Sequence, residues 1–170
     1  MRAIFFHNNH NRLGLSPWHP AALLATGFGT GLLPKAPGSW GSLATLPLAW
    51  GLKSAFGRAG LAAAAGLAFG AGCWAAGRVA RTSGRPDPGF IVIDEILGQL
   101  LALLPARRDP AAYALAFLLF RLFDIWKPWP IGRIDRTVGG GLGIMLDDAL
   151  AAGYALLAQI ALRGAFGVRP

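Results

Sequence analysis

Five carboxylates stand where an apolar helix has little reason to keep one. Asp94 and Glu95 lie in IVIDEILGQLLALL, Asp124 in AFLLFRLFDIW, and Asp147 and Asp148 in GIMLDDALAAGY. A carboxylate buried without a partner is expensive, so each of these needs one. If the helices pack together, the five repel one another, and divalent cations are the natural compensation. An all-oxygen donor set favours Mg²⁺, Mn²⁺ or Ca²⁺ over zinc or copper. Histidine and cysteine offer no rival set: His7, His10 and His19 all precede residue 20, and Cys73 sits among Ala and Gly in a packing context. Asp94, Glu95, Asp124, Asp147 and Asp148 are therefore the candidate metal ligands.

Cations accompany them. Arg121, Asp124 and Lys127 recur at three-residue spacing, which puts them on one face of a helix that Pro128 and Pro130 then stop. Thr26–Ser42, TGFGTGLLPKAPGSWGS, holds five glycines and carries Lys35, so its backbone N–H groups could turn toward an anion. Ser39 or Ser42 is expected to cap the helix that follows, whose N-terminus also favours a phosphate. Carboxylate-held metal beside Lys35, Ser39, Ser42, Arg121 and Lys127 points to phosphate chemistry, with the metal neutralising phosphate oxygens and activating water. Simpler readings compete at each place. Arg121 and Asp124 could be an ordinary intrahelical ion pair, Asp94 could be a helix N-cap, and the acids together could form the relay of a non-enzymatic ion transporter.

The elements that must position these groups are helical and apolar. Hydrophobic residues make up 54% of the 170-residue chain and charged ones 14%, about half the usual charged share of a soluble domain. Leu43–Phe56 with Pro47 expected to kink it near its start, Leu61–Ala80, Phe90–Leu104, Ala111–Lys127 and 143–162 read as apolar helices. Leu61–Ala80 is the best candidate for a full span. Short Pro20–Ala25 adds another helix, and Asp135 is expected in a polar connection. The expected fold is all-α: a compact, membrane-embedded bundle of about five or six helices, several short or kinked. It forms one domain over 1–170, with a polar tail at 1–15 and a basic tail at 164–170. The balance of 16 basic to 8 acidic residues gives +8 and predicts anionic partners. Nucleic acid is disfavoured, because the basic residues are scattered among apolar segments and form no stripe. Arg78, Arg81 and Arg85 beside the longest span place that loop on the cytoplasmic side.

Four ordered blocks, GFGTGLLPKAPGSWGS at 27–42, IDEILGQ at 93–99, FRLFDIWKPWPIGRID at 120–135 and GGLGIMLDDALAAGY at 140–154, resemble the phosphatidylglycerophosphatase A family. Where that family often has Thr, this chain has Ser39. The resemblance implies Mg²⁺-dependent removal of the terminal phosphate of phosphatidylglycerophosphate, a lipid of the bacterial inner membrane, at a site facing the cytoplasm. It carries metal and catalytic roles onto Asp94, Glu95, Asp124, Asp147 and Asp148, with Asp94, Glu95, Asp124 and Asp148 as the catalytic set. Self-association into a homo-oligomer stays open. The Pro-Ser-Gly-His block of histidine-dependent lipid phosphatases is absent, as is the Asp-Gly…Ala-Arg pattern of the alcohol phosphotransferases.

Overall fold

The computed structural model describes residues 13–166. Six α-helices and one short 3₁₀ turn (Thr30–Leu32) make up the described chain, with no strand among the described residues. They are α1 (Pro20–Ala25), α2 (Pro37–Ser83), α3 (Ile93–Ala102), α4 (Pro110–Trp126), α5 (Ile131–Thr137) and α6 (Gly140–Phe166). The expected all-α bundle is what forms. Two of its helices, α2 and α6, are long and apolar enough to cross a membrane. Much of the apolar surface faces outward: Leu67, Trp74, Leu118, Leu122 and Leu157 are all exposed. In a bundle made almost wholly of apolar helices, such a surface suits lipid and not water.

α2 runs unbroken past Pro47, where a kink was expected, and breaks at Gly57 instead (φ 65°, ψ −160°). Only glycine enters that region without strain, so the chain reverses there and two helices meet end to end. The first half runs alongside α3 in the same direction. Gly41 lies against Val92 near the start of both, and Lys53 donates to the carbonyls of Leu103, Leu104 and Ala106 at the far end. α4 runs the opposite way, with Arg121 near Glu95 and Tyr113 edge-on to Trp50 at 5.1 Å. α3 therefore sits at the centre, packed by α2 and α6. Its carboxylates occupy the N-terminal turn and a lysine covers the carbonyls just past its C-terminal end, so both ends complement the helix dipole.

Some local expectations need correction. The helix after the glycine-rich segment begins at Pro37 with Ala36 as N-cap and no side-chain cap, so neither Ser39 nor Ser42 caps it. Proline at the first helical position replaces the serine signal, since its fixed φ and missing N–H suit that place. Asp135 lies within α5, not in an irregular connection. Leu13, counted with the polar tail, is 1% exposed and joins the core. The basic tail begins inside α6, which continues to Phe166. Met1–Arg12 and 167–170 lie outside the described residues, and with them His7 and His10.

Candidate active site

One end of the bundle gathers the N-terminal turns of α2 and α3, the C-terminal turns of α4 and the early turns of α6. Three carboxylates meet there: Asp94, Glu95 and Asp148 each present an oxygen within 4.8 Å of the other two. Asp94 and Glu95 are adjacent in sequence, yet both reach the gap because they sit in the first turn of α3, with Val92 as N-cap. Asp94 is thus no N-cap, and its Oδ1 has no hydrogen-bond partner. Glu95 Oε2 and Asp148 Oδ2 are likewise buried without partners. Burial first, then the neighbouring Glu95 charge, raises the Asp94 pKa well above the usual carboxylate range. Burial also pushes Glu95 up to about 7.

The two remaining acids are each held by a cation. Asp124 Oδ2 lies 2.6 Å from Arg121 Nη1, which is 3.7 Å from Glu95 Oε1. Asp124 also stands against Asp148, so it borders the trio without entering it. The Arg121 N–H groups are not aligned on these oxygens: Nε and Nη1 remain buried without a hydrogen-bond partner. Asp147 turns the other way, its Oδ2 accepting from Lys127 Nζ at 2.6 Å. Lys127 also donates to Asp135 Oδ1 at 2.8 Å and does not meet Asp124. The reason is backbone geometry. α4 ends at Trp126, and Lys127 takes a left-handed conformation (φ 46°), which swings its side chain off the Arg121–Asp124 face. These two bonds raise the Lys127 pKa against the opposing effect of burial.

Gly38, in the first turn of α2, has its would-be Cβ in collision with Glu95 Oε1 and 3.2 Å from Arg121 Nη1. Only a residue without a side chain lets that helix start approach the carboxylate, where the positive end of the dipole favours an anion. Ser42, one turn further on, is fully buried with an unpartnered Oγ. Ser39 is half-buried. Lys35 is exposed, in a left-handed turn just ahead of the α2 N-cap. Tyr154 Oη donates to the Trp129 carbonyl at 2.9 Å, and Gly143 packs on Val138. The α6 face shared by Gly143, Asp147 and Tyr154 thus holds the segment after α4. Asp87 was overlooked in the sequence, where RPDPG reads as a turn. It lies within electrostatic reach of Lys127, Asp135 and Asp124.

Asp94, Glu95 and Asp148 are the residues that fit a metal. The donor set is all carboxylate oxygen, three of its buried oxygens lack any other partner, and Arg121, shared with Asp124, is the cation beside it. Hard divalent cations take such oxygens, and repulsion among three clustered carboxylates is relieved by one.

The family model described as Phosphatidylglycerophosphatase A matches residues 23–163. A protein of that name from Escherichia coli (strain K12) is 41% identical over 150 residues, covering 83% of this chain and 81% of its own. Its namesake from Haemophilus influenzae is 42% identical over 151 residues, covering 88% and 92%. A Bacteroides thetaiotaomicron protein, named provisionally as a phosphatidylinositol-3-phosphatase, is 35% identical over 152 residues, covering 85% and 94%. No solved structure matches the chain.

Proposed function

Because this chain belongs to the phosphatidylglycerophosphatase A family, we propose that it hydrolyses the terminal phosphomonoester of phosphatidylglycerophosphate, giving phosphatidylglycerol and phosphate, with Mg²⁺ held by Asp94, Glu95 and Asp148. The observation that carries this reading is the meeting of three carboxylates with buried, unpartnered oxygens beside a guanidinium that is ion-paired to Asp124 and keeps a buried Nε without a hydrogen-bond partner. A bound Mg²⁺ supplies charge neutralisation for phosphate oxygens and a water that ionises near neutral pH.

The chain's residues divide the remaining work. Arg121, braced through Nη1 by Asp124 and Glu95, offers its remaining N–H groups to phosphate oxygens. A planar fork can hold two of them at once. Asp124, bordering Asp148, orients Arg121 and is placed to accept a proton from an attacking water. Lys127 cross-links Asp135 and Asp147, fixing the segment after α4 against α6, and adds positive charge on the approach to the site. The start of α2, with Lys35 ahead of it, Ser39 in its first turn and Ser42 one turn further on, contributes amide and hydroxyl donors. Trp40, Trp126 and Trp129 are exposed at this end of the bundle and suit a membrane–water interface, where the headgroup can reach the carboxylates while its acyl chains stay in lipid. On this reading the site lies at the cytoplasmic face of a bacterial inner membrane.

The test is phosphate release from phosphatidylglycerophosphate by the purified protein in non-ionic detergent. Activity should vanish with EDTA, return with Mg²⁺, and fall on the order of a hundredfold or more in Asp94→Asn, provided that variant elutes like the parent. EDTA-resistant hydrolysis would remove the metal from the proposal. Absence of hydrolysis under every metal condition would remove the activity.

A further inference from the structure

Next to the acidic site, and outside the residues assigned above as its machinery, lies a cavity of about 470 Å³ between the Pro86–Asp87 turn and the start of α6. Asp87, Asp135, Arg136 and Gly140 line it. A second cavity of about 310 Å³ shares Pro86 and Gly140 with it and is lined by Arg81 and Arg85. The shared residues make the two one continuous groove. Its connection to the carboxylates is a single ion-paired step: Asp135 lines the groove and accepts from Lys127, whose other partner, Asp147, adjoins Asp148. Three guanidinium groups thus border the groove, and among the described residues none of them enters an ion pair.

We infer that this groove is a phosphodiester subsite, in which Arg81, Arg85 and Arg136 receive the diester phosphate of the same lipid headgroup whose terminal monoester meets Asp94, Glu95 and Asp148. The inference rests on the phosphatase reading above and says which part of the substrate is read, and where. Such a headgroup carries two anions joined by a three-carbon polyol. With the monoester at the carboxylates, the diester must fall outside them, and the groove is the adjoining space bordered by free cations. The two sites suit the two groups. A divalent cation answers the higher charge of a monoester, whereas guanidinium forks match the two non-bridging oxygens of a diester. Asp87 and Asp135 line the span between them. Their oxygens accept from a polyol hydroxyl and oppose a second, more highly charged monoester.

The subsite is tested by kinetics and by binding. Initial rates on phosphatidylglycerophosphate in non-ionic mixed micelles are compared for the parent, Arg136→Ala, the Arg81→Ala/Arg85→Ala pair and Arg133→Ala. Arg133 is an exposed cation on the same short helix as Arg136 and does not line the groove. The groove variants should raise KM on the order of tenfold or more while kcat stays within about threefold, and Arg133→Ala should match the parent. Phosphatidylglycerol, which keeps the diester and lacks the monoester, should bind the parent and lose affinity by a similar factor in the groove variants. An equal effect of Arg133→Ala would mean general surface charge and overturn the subsite, as would parental KM and phosphatidylglycerol affinity in the groove variants. Arginine-dependent phosphatidylglycerol binding in a protein that releases no phosphate would leave the subsite standing and remove the phosphatase reading instead.

Discussion

Gly38→Ala separates helix stability from site geometry, because the two effects have opposite signs. In a helix, alanine is favoured over glycine by roughly 0.5–1 kcal/mol, so the substitution alone should leave α2 as stable or more so. The new Cβ, however, collides with Glu95 Oε1. That oxygen is the end of a flexible side chain, so the fold accommodates the methyl group by moving the carboxylate. A retreat of about 1 Å takes Glu95 out of register with Asp94 and Asp148, and a misplacement of that size costs on the order of a hundredfold in rate. Thermal unfolding in detergent and phosphate release from phosphatidylglycerophosphate, measured on one preparation, read the two effects apart. The expected pattern is an unfolding midpoint at or above the parent's with turnover lowered about a hundredfold. A folded Gly38→Ala protein with turnover within about threefold of the parent would refute the claim that the α2 start and the Glu95 carboxylate are fitted to one another.

Three further outcomes follow from the same geometry. Arg121→Lys should lower kcat far more than Lys127→Arg in the same phosphate-release assay, since a point charge cannot reproduce a fork aimed at two oxygens whereas Lys127 acts as a charge between Asp135 and Asp147. Lys53→Met keeps the aliphatic stem but leaves the Leu103, Leu104 and Ala106 carbonyls without their donor, and should cost about 2–4 kcal/mol in denaturation measurements. Activation by Mg²⁺ should depend on pH: burial holds Glu95 at about 7, so below that the metal must displace a proton. The Mg²⁺ concentration for half-activation should fall as pH rises from about 6 to 8, and a flat profile would mean that Glu95 is not a ligand.

Much of this site is legible in the sequence because charge in an apolar run has few excuses. Asp94 and Glu95 announce themselves in that way, and so does Asp148. Which carboxylate pairs with which partner is not legible, for reasons of angle. Adjacent helical residues diverge by about 100°, so past the first turn of α6 only one member of the Asp147–Asp148 doublet can face α3, and no periodicity says which. At the start of α3 the same divergence is harmless, and both acids reach the gap. Lys127 escaped its expected face because a left-handed residue after the last turn redirects its side chain, which spacing alone cannot reveal. Gly38 looked like one glycine among five in a loop, yet it begins a helix. Its role depends on a contact with Glu95, far away in the sequence. The α2 break likewise falls at Gly57, where backbone freedom decides, and not at Pro47, which the helix tolerates.

The central claim is that Asp94, Glu95 and Asp148 hold a divalent cation. Anomalous diffraction from crystals soaked in Mn²⁺ addresses it directly, since Mn²⁺ takes the same oxygen ligands as Mg²⁺ and can be located by its own signal. The account predicts a peak about 2.1 Å from oxygens of all three residues, lost in Asp148→Asn. A peak elsewhere with this trio empty, or a peak on the trio that survives Asp148→Asn unchanged, would contradict it.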